Sequence, residues 1–184
     1  MSFGLDNRSR AVTEAIASAV EEDRIIFAAA SNSGGNSGRA YPASLPGVMC
    51  VHATDGYGNQ ALFNPSKEKG DDNFATLGVA IESRWENKTV IKSGTSFATP
   101  VAAGIAANVL QFAKNHELVK YERLCCFRGM RRMFKYMSSE RGDYEYVSPW
   151  KVFRPQDDGQ MQSHTKKICN NIRTLLSTDK IPEM

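Results

Sequence analysis

The sequence predicts an α/β fold built on a parallel central sheet. Three features carry this. Two continuous apolar runs, Arg24 to Ala30 and Gly47 to Thr54, read as strands covered on both faces. An amphipathic helix precedes the first run and a long helix of small residues follows later, which is the element order of parallel α/β proteins. Between them lie clusters of Gly, Ser and Asn, at Ser31 to Gly38 and Asp55 to Asn59, where the chain turns.

Met1 to Gly4 is a short strand-like piece. From Asn7 to Glu22, Ala11, Val12, Ala15, Ile16, Ala19 and Val20 recur at helical spacing, with Arg8, Arg10, Glu14, Glu21 and Glu22 off that stripe. Arg24 to Ala30 is expected as a central strand. Phe74 to Ile81 is a weaker extended stretch, and Thr89-Val90-Ile91 leads into the next helix. From Phe97 to Leu110, the residues Ala98, Ala102, Ala103, Gly104, Ala106 and Ala107 leave no bulky side, so this helix is expected to be buried all round. Pro100 is expected in its first turn, where a missing N–H costs least. That places Ser96 at a helix N-terminus, with backbone N–H groups and the positive end of the dipole facing its hydroxyl. Such an arrangement suits a nucleophile whose product is an oxyanion. A plain helix cap by Thr95 or Ser96 is the alternative.

Composition bounds the rest. With 184 residues, 41% of them hydrophobic and a net charge of +3, the chain has the make-up of a globular protein with no charge-based case for nucleic acid. No uninterrupted apolar run of membrane-spanning length is evident, and the N-terminus lacks a basic region followed by an apolar core. Cys50, Cys125, Cys126 and Cys169 have no metal-ligand spacing and are expected as reduced thiols, which points to an intracellular protein. Asn7-Arg8-Ser9 and Asn87-Lys88-Thr89 fit the glycosylation pattern but are expected to be unused. Gly34-Gly35-x-x-Gly38 lacks the Lys-Ser/Thr ending of a phosphate loop.

The stretch Gly94-Thr95-Ser96-x-Ala98-Thr99-Pro100-x-x-Ala103-Gly104 resembles the nucleophile motif of the subtilisin-like serine peptidases. Four more segments, in the same order, are similar to that family: Met1-Ser2-Phe3-Gly4, Ala28-Ala29-Ala30-Ser31-Asn32, Tyr41-Pro42-Ala43 and Leu77-Gly78-Val79-Ala80-Ile81. The resemblance implies a subtilisin-like three-layer fold, present as the second half of a catalytic domain over residues 1–113. It implies serine endopeptidase chemistry on polypeptides, with Ser96 as nucleophile and the Asn32 amide as an oxyanion donor. Ser2, Phe3 and Gly4 would pair with the substrate backbone, and Ala29, Ser31 and Ala40 would line the cleft. Gly94, Thr95, Pro42 and Pro100 would be structural, Pro42 after a cis bond. Ser31 and Ala40 replace glycines common in the family, which implies small or medium apolar P1 residues.

The family order Asp…His…Ser puts the acid and base ahead of every segment matched here. None of the three histidines, His52, His116 and His164, has the family's His-Gly-Thr context, and no Asp-Gly segment has the family's setting. The expectation is a truncated or fragmentary peptidase, inactive alone, whose partner is its missing half or a second chain at an exposed sheet edge. A non-catalytic interaction or regulatory module is the alternative. No cofactor is implied beyond calcium, which relatives often bind and for which Asp71-Asp72-Asn73 would offer oxygens.

Residues 114–184 resemble nothing identified and are expected to form a mainly helical, basic extension. Tyr121 to Met137 reads as one amphipathic helix, with Arg123, Arg128, Arg131, Arg132 and Lys135 set against Leu124, Phe127, Met130, Phe134 and Met137. It would serve an acidic membrane or partner, or pack on the body with its basic face in solvent. Asp143 to Gly159 reads as a loop and His164 to Ser177 as a final helix.

Overall fold

The computed structural model describes residues 1–118, 121–154 and 161–177. Helix α1 (Arg10–Glu21) starts at Ser9, whose side chain accepts the Val12 N–H. Strands β1 (Ile26–Ala29), β2 (Val48–Thr54) and β3 (Phe74–Leu77) follow, then a hairpin of β4 (Ile81–Trp85) and β5 (Lys88–Lys92). Helix α2 (Thr95–Asn115) comes next, then α3 (Tyr121–Leu124), α4 (Phe127–Met137), β6 (Ser138–Arg141), β7 (Tyr144–Val147), a 3-10 turn and α5 (Met161–Ser177).

The main sheet has the order β1-β2-β3-β7-β6, parallel except for β6, with Phe27 opposite Met49, His52 opposite Ala75, and Ala75 opposite Tyr146. Alternation sorts the side chains into two layers. Ala28, Ala30, Val48 and Cys50 face Ile16 of α1. Phe27, Met49, Val51 and Ala53 face the opposite way, onto Ala98, Ala102 and Val109 of α2 and onto α4 and α5. This is the expected three-layer α/β architecture.

Four expectations need correction. β1 stands at one end of the strand order; beyond it, only Met1 bonds to it, through Phe27 O and the Ala29 N–H. Its apolar run reflects cover on both faces rather than a neighbour on both edges. Helix α2 buries only one side, and Pro100, Ala103, Gly104 and Ala107 are exposed. Small residues permit close approach without requiring it. Because α2 begins at Thr95, Pro100 is its sixth residue and falls in the second turn, leaving the Ser96 carbonyl without an intrahelical donor. By length and composition alone α2 is able to cross a membrane, a property the sequence reading did not register, yet it packs against β1, β2 and β3.

The fourth concerns the extension. It is mainly helical among the described residues, as expected, but it also supplies β6 and β7, and β7 pairs in parallel with β3. The single helix over Tyr121 to Met137 is broken at Cys125-Cys126, with Cys126 extended at φ −110°, ψ 166°. The break lets α3 fold onto the first turn of α4, where a Cβ on Gly129 would lie 1.8 Å from the Arg123 carbonyl oxygen. Met130, Met133, Phe134 and Met137 are fully buried, with the Phe134 ring 5.5 Å from those of Phe27 and Phe74. The basic face is partly engaged by the protein itself. Arg131 and Lys135 pair with Asp72, and Lys135 also with Glu145. Asp143 pairs with Lys67 ahead of β7, and the loop expected over Asp143 to Gly159 instead holds β7 and a 3-10 turn (Pro149–Lys151), its last residues lying outside the described ones.

Candidate active site

The two glycines ahead of α2 explain how Ser96 is placed. A Cβ on Gly78 would lie 2.9 Å from the Ala53 and Ala98 methyls and from the Gly94 carbonyl, so the β3 exit can approach α2 only with glycine there. The Gly94 N–H donates to Gly78 O at 2.8 Å, which fixes the start of the helix. At Gly94 a Cβ would crowd Asn32 Nδ2 at 3.2 Å. Thr95 is buried, and its N–H donates to Asn32 Oδ1 at 2.8 Å. Its hydroxyl lies 3.1 Å from the same oxygen and 3.2 Å from Ser31 O. A backbone N–H can only donate, so Oδ1 is the amide end held at Thr95 and Nδ2 is the end left without a bond among the described residues.

Asn32 follows β1 through Ser31, whose φ of 139° is a conformation that favours glycine. The Ser31 hydroxyl donates to Ser33 Oγ at 3.0 Å and accepts the Ser33 N–H at 3.1 Å. On the other side, Leu5 N–H donates to Tyr41 O at 2.8 Å, and a Cβ on Gly4 would meet the Ala40 methyl at 2.8 Å. The Tyr41-Pro42 bond is cis, as the resemblance implies, and the Tyr41 hydroxyl donates to Ser9 O at 2.8 Å.

These pieces enclose a cleft of about 260 Å³ that brings together Phe3, Gly4, Ala29, Ser31, Asn32, Ala40, Thr95 and Ser96. Ser2 reaches it through its carbonyl, which accepts the Ser96 hydroxyl at 2.9 Å. Pro42 and Pro100 stand outside its lining. Leu5, Asp6 and Ser33 line it too and escaped the sequence reading, although each adjoins a segment singled out there. A larger cleft of about 400 Å³, lined by Lys67, Asp71 and Glu145 among others, has no serine, threonine, cysteine or histidine in its lining.

No histidine lines the Ser96 cleft. His52 is fully buried, with Nδ1 3.2 Å from Phe74 O and its ring 4.7 Å from that of Tyr144. Burial, aided by the Arg39 cation, lowers its pKa to about 4. His116 caps the far end of α2 with its ring 4.4 Å from Phe112, about 30 Å of helix from Ser96. His164 lies in α5. Asp71 and Asp72 are turned to cations of the chain: Arg39 donates to Asp71 Oδ2 at 2.5 Å and to Asn73 Oδ1 at 3.0 Å. Burial alone would raise the Asp72 carboxyl, but the Arg131 and Lys135 bonds outweigh it and hold the group below the usual range. A bound cation would have to displace these partners, so the donor set does not fit calcium. All four cysteines are free, and burial pushes the Cys50 thiol up to about 12.

Residues 1–125 match the sequence model of the Subtilase family (Peptidase_S8). The chain belongs to the subtilase family. Among curated subtilases it is 36% identical over 112 residues to M-protease of Shouchella clausii (strain KSM-K16) and to Subtilisin Savinase of Lederbergia lenta. That match takes in 60% of this chain but only 29% and 40% of those proteins. Among solved structures, Sphericase superposes with a TM-score of 0.60 at 26% identity, covering 80% of this chain and 53% of that one. The protease domain of PatA superposes with a TM-score of 0.68 at 19% identity, over 98% of this chain and 58% of that one, and speaks for the fold alone. This subtilase therefore spans under half the length of the curated relatives compared, and little more than half of the solved chains.

Proposed function

We propose that this chain is the nucleophile-bearing part of a serine endopeptidase and does not turn over peptides by itself. The observation that carries this is the cleft at the start of α2. In it the Ser96 hydroxyl, its helix-terminal N–H and the amide of Asn32 converge. In acyl transfer the Ser96 Oγ attacks a peptide carbonyl carbon, and the new oxyanion takes hydrogen bonds from Asn32 Nδ2 and the Ser96 N–H. The proton leaving Ser96 needs a base, and among the described residues the hydroxyl faces only the Ser2 carbonyl. Base and orienting acid would come from other polypeptide. The same contact favours a second reading, a non-catalytic module that binds peptides in this cleft.

A fluorophosphonate probe tests the proposal on the purified chain, with Ser96→Ala as control and imidazole added as an external base. The expected result is negligible labelling alone and slow, imidazole-dependent labelling that Ser96→Ala abolishes. Rapid labelling without imidazole would overturn the claim of inactivity. Labelling that never depends on Ser96, or none with imidazole, would overturn the nucleophile.

A further inference from the structure

The cleft beside Ser96 has a single charged residue in its lining, Asp6. Everything else there is small, hydroxylic, amide-bearing or apolar. Asp6 is exposed and has no cationic partner among the described residues, whereas Asp71, Asp72, Asp143 and Glu145 all have one. It follows Leu5 directly, and the Leu5 N–H bond to Tyr41 O anchors the backbone beside it. Asp6 therefore lines the cleft on a segment whose backbone is tied down rather than on a free tail.

Resting on the peptide-cleft reading above, we propose that Asp6 makes this cleft selective for peptides carrying a lysine or arginine side chain. The surroundings suit that kind of side chain. Phe3 and Leu5 are 51% and 40% exposed, and offer apolar surface to the methylene stem while the cationic end reaches the carboxylate. An unbranched stem is also slim enough to pass the Ser31 and Ala40 substituents that imply exclusion of large rings. The chain as a whole is positive, at +3, so non-specific attraction would favour acidic peptides. A preference for basic ones therefore has to be local. Asp6 stands three residues before the α1 cap Ser9, and a role confined to that helix end would leave peptide choice untouched.

The test is fluorescence polarisation on the full chain with labelled, amidated Ala-Ala-X-Ala-Ala peptides, where X is Lys, Leu or Glu. An exposed carboxylate–ammonium contact is worth about a two- to five-fold change in affinity. The Lys peptide is expected to bind tighter than the Leu peptide by that factor, with Glu weakest and the spread narrowing as salt rises. Asp6→Asn is expected to erase the Lys–Leu difference, with an unchanged circular-dichroism spectrum and urea midpoint reporting an intact fold; Glu117→Gln, outside the cleft, is expected to keep both the difference and the Leu affinity. Equal binding of Lys and Leu peptides, or a Lys preference that survives Asp6→Asn, would overturn the role of Asp6 while the cleft reading stands. Binding of none of the three would overturn the cleft reading, and the inference with it.

Discussion

Acidifying this protein from pH 7.5 to pH 4.5 is expected to cost it stability through His52. The residue is fully exposed to proton uptake only when unfolded. In the fold it is sealed between β2, β3 and β7, with Arg39, Cys50 and Tyr144 as its ionisable neighbours. Cys50 and Tyr144 have raised pKa values, so neither changes charge in this window. The His52 pKa falls from 6.5 to about 4 on folding. A depressed histidine stabilises the fold fully above the unfolded value, and that contribution is lost as pH falls from 6.5 towards 4. Proton linkage with these two values gives a loss of about 2–3 kcal/mol between pH 7.5 and 4.5. The assay is urea denaturation of the wild type and His52→Leu at both pH values. Leu approximates the volume and removes Nε2, which is buried without a hydrogen-bond partner. Any constant packing cost cancels in the difference, as do the carboxylates common to both proteins. The wild type should lose about 2–3 kcal/mol more than His52→Leu. An equal loss in both would refute the reasoning.

Three further outcomes follow from particular contacts. Ser31→Gly relieves a φ of 139° at the loss of one exposed hydroxyl pair, and a net gain of about 1 kcal/mol is expected in the urea midpoint; no gain would mean that the loop carries no strain. Asp72→Asn strips the carboxylate between Arg131 and Lys135 and is expected to cost about 2–3 kcal/mol, below a fully buried pair because Arg131 is 43% exposed. Since the Asp72 pKa is held down, its contribution is present above the usual carboxylate range and lost as pH falls below it, a window more acidic than that of His52. Gly129→Ala forces a methyl into the Arg123 carbonyl, and a loss of about 3 kcal/mol in thermal or urea unfolding is expected; a change below about 0.5 kcal/mol would contradict the α3–α4 corner.

The part of the site closest in sequence to its motif was legible in advance. Ser96, Thr95, Gly94 and Asn32 do meet, because a strand end and a helix start at the same edge of a parallel sheet are neighbours by topology. The β4–β5 hairpin was missed although its signal was present. Glu86 and Asn87 form a two-residue connection with both φ values positive, the geometry of a tight hairpin turn, and Asn is a residue that accepts it. β7 was missed for a different reason. Tyr144-Glu145-Tyr146-Val147 is short and carries a charge, and Glu145 is held there by Lys135 of α4 and by the Asn73 N–H.

What the sequence by itself determined is α1, the strands β1 to β3, α2 and the chemistry of one loop–helix junction, since periodicity, glycine placement and the Ser96 motif are local properties of the chain. The tertiary structure alone decided which faces those elements cover. A run of small residues cannot tell whether one neighbour or four will approach it, and α2 leaves Pro100, Ala103 and Ala107 in solvent. A basic helix cannot tell where its counter-charges lie, and Asp72 is 59 residues from Arg131. Nor does Asp6 announce a cleft until Leu5 is tied to Tyr41, 36 residues along the chain. Long-range pairing sets these outcomes, because the free energy of burying or pairing a group depends on partners that only the folded chain brings within reach.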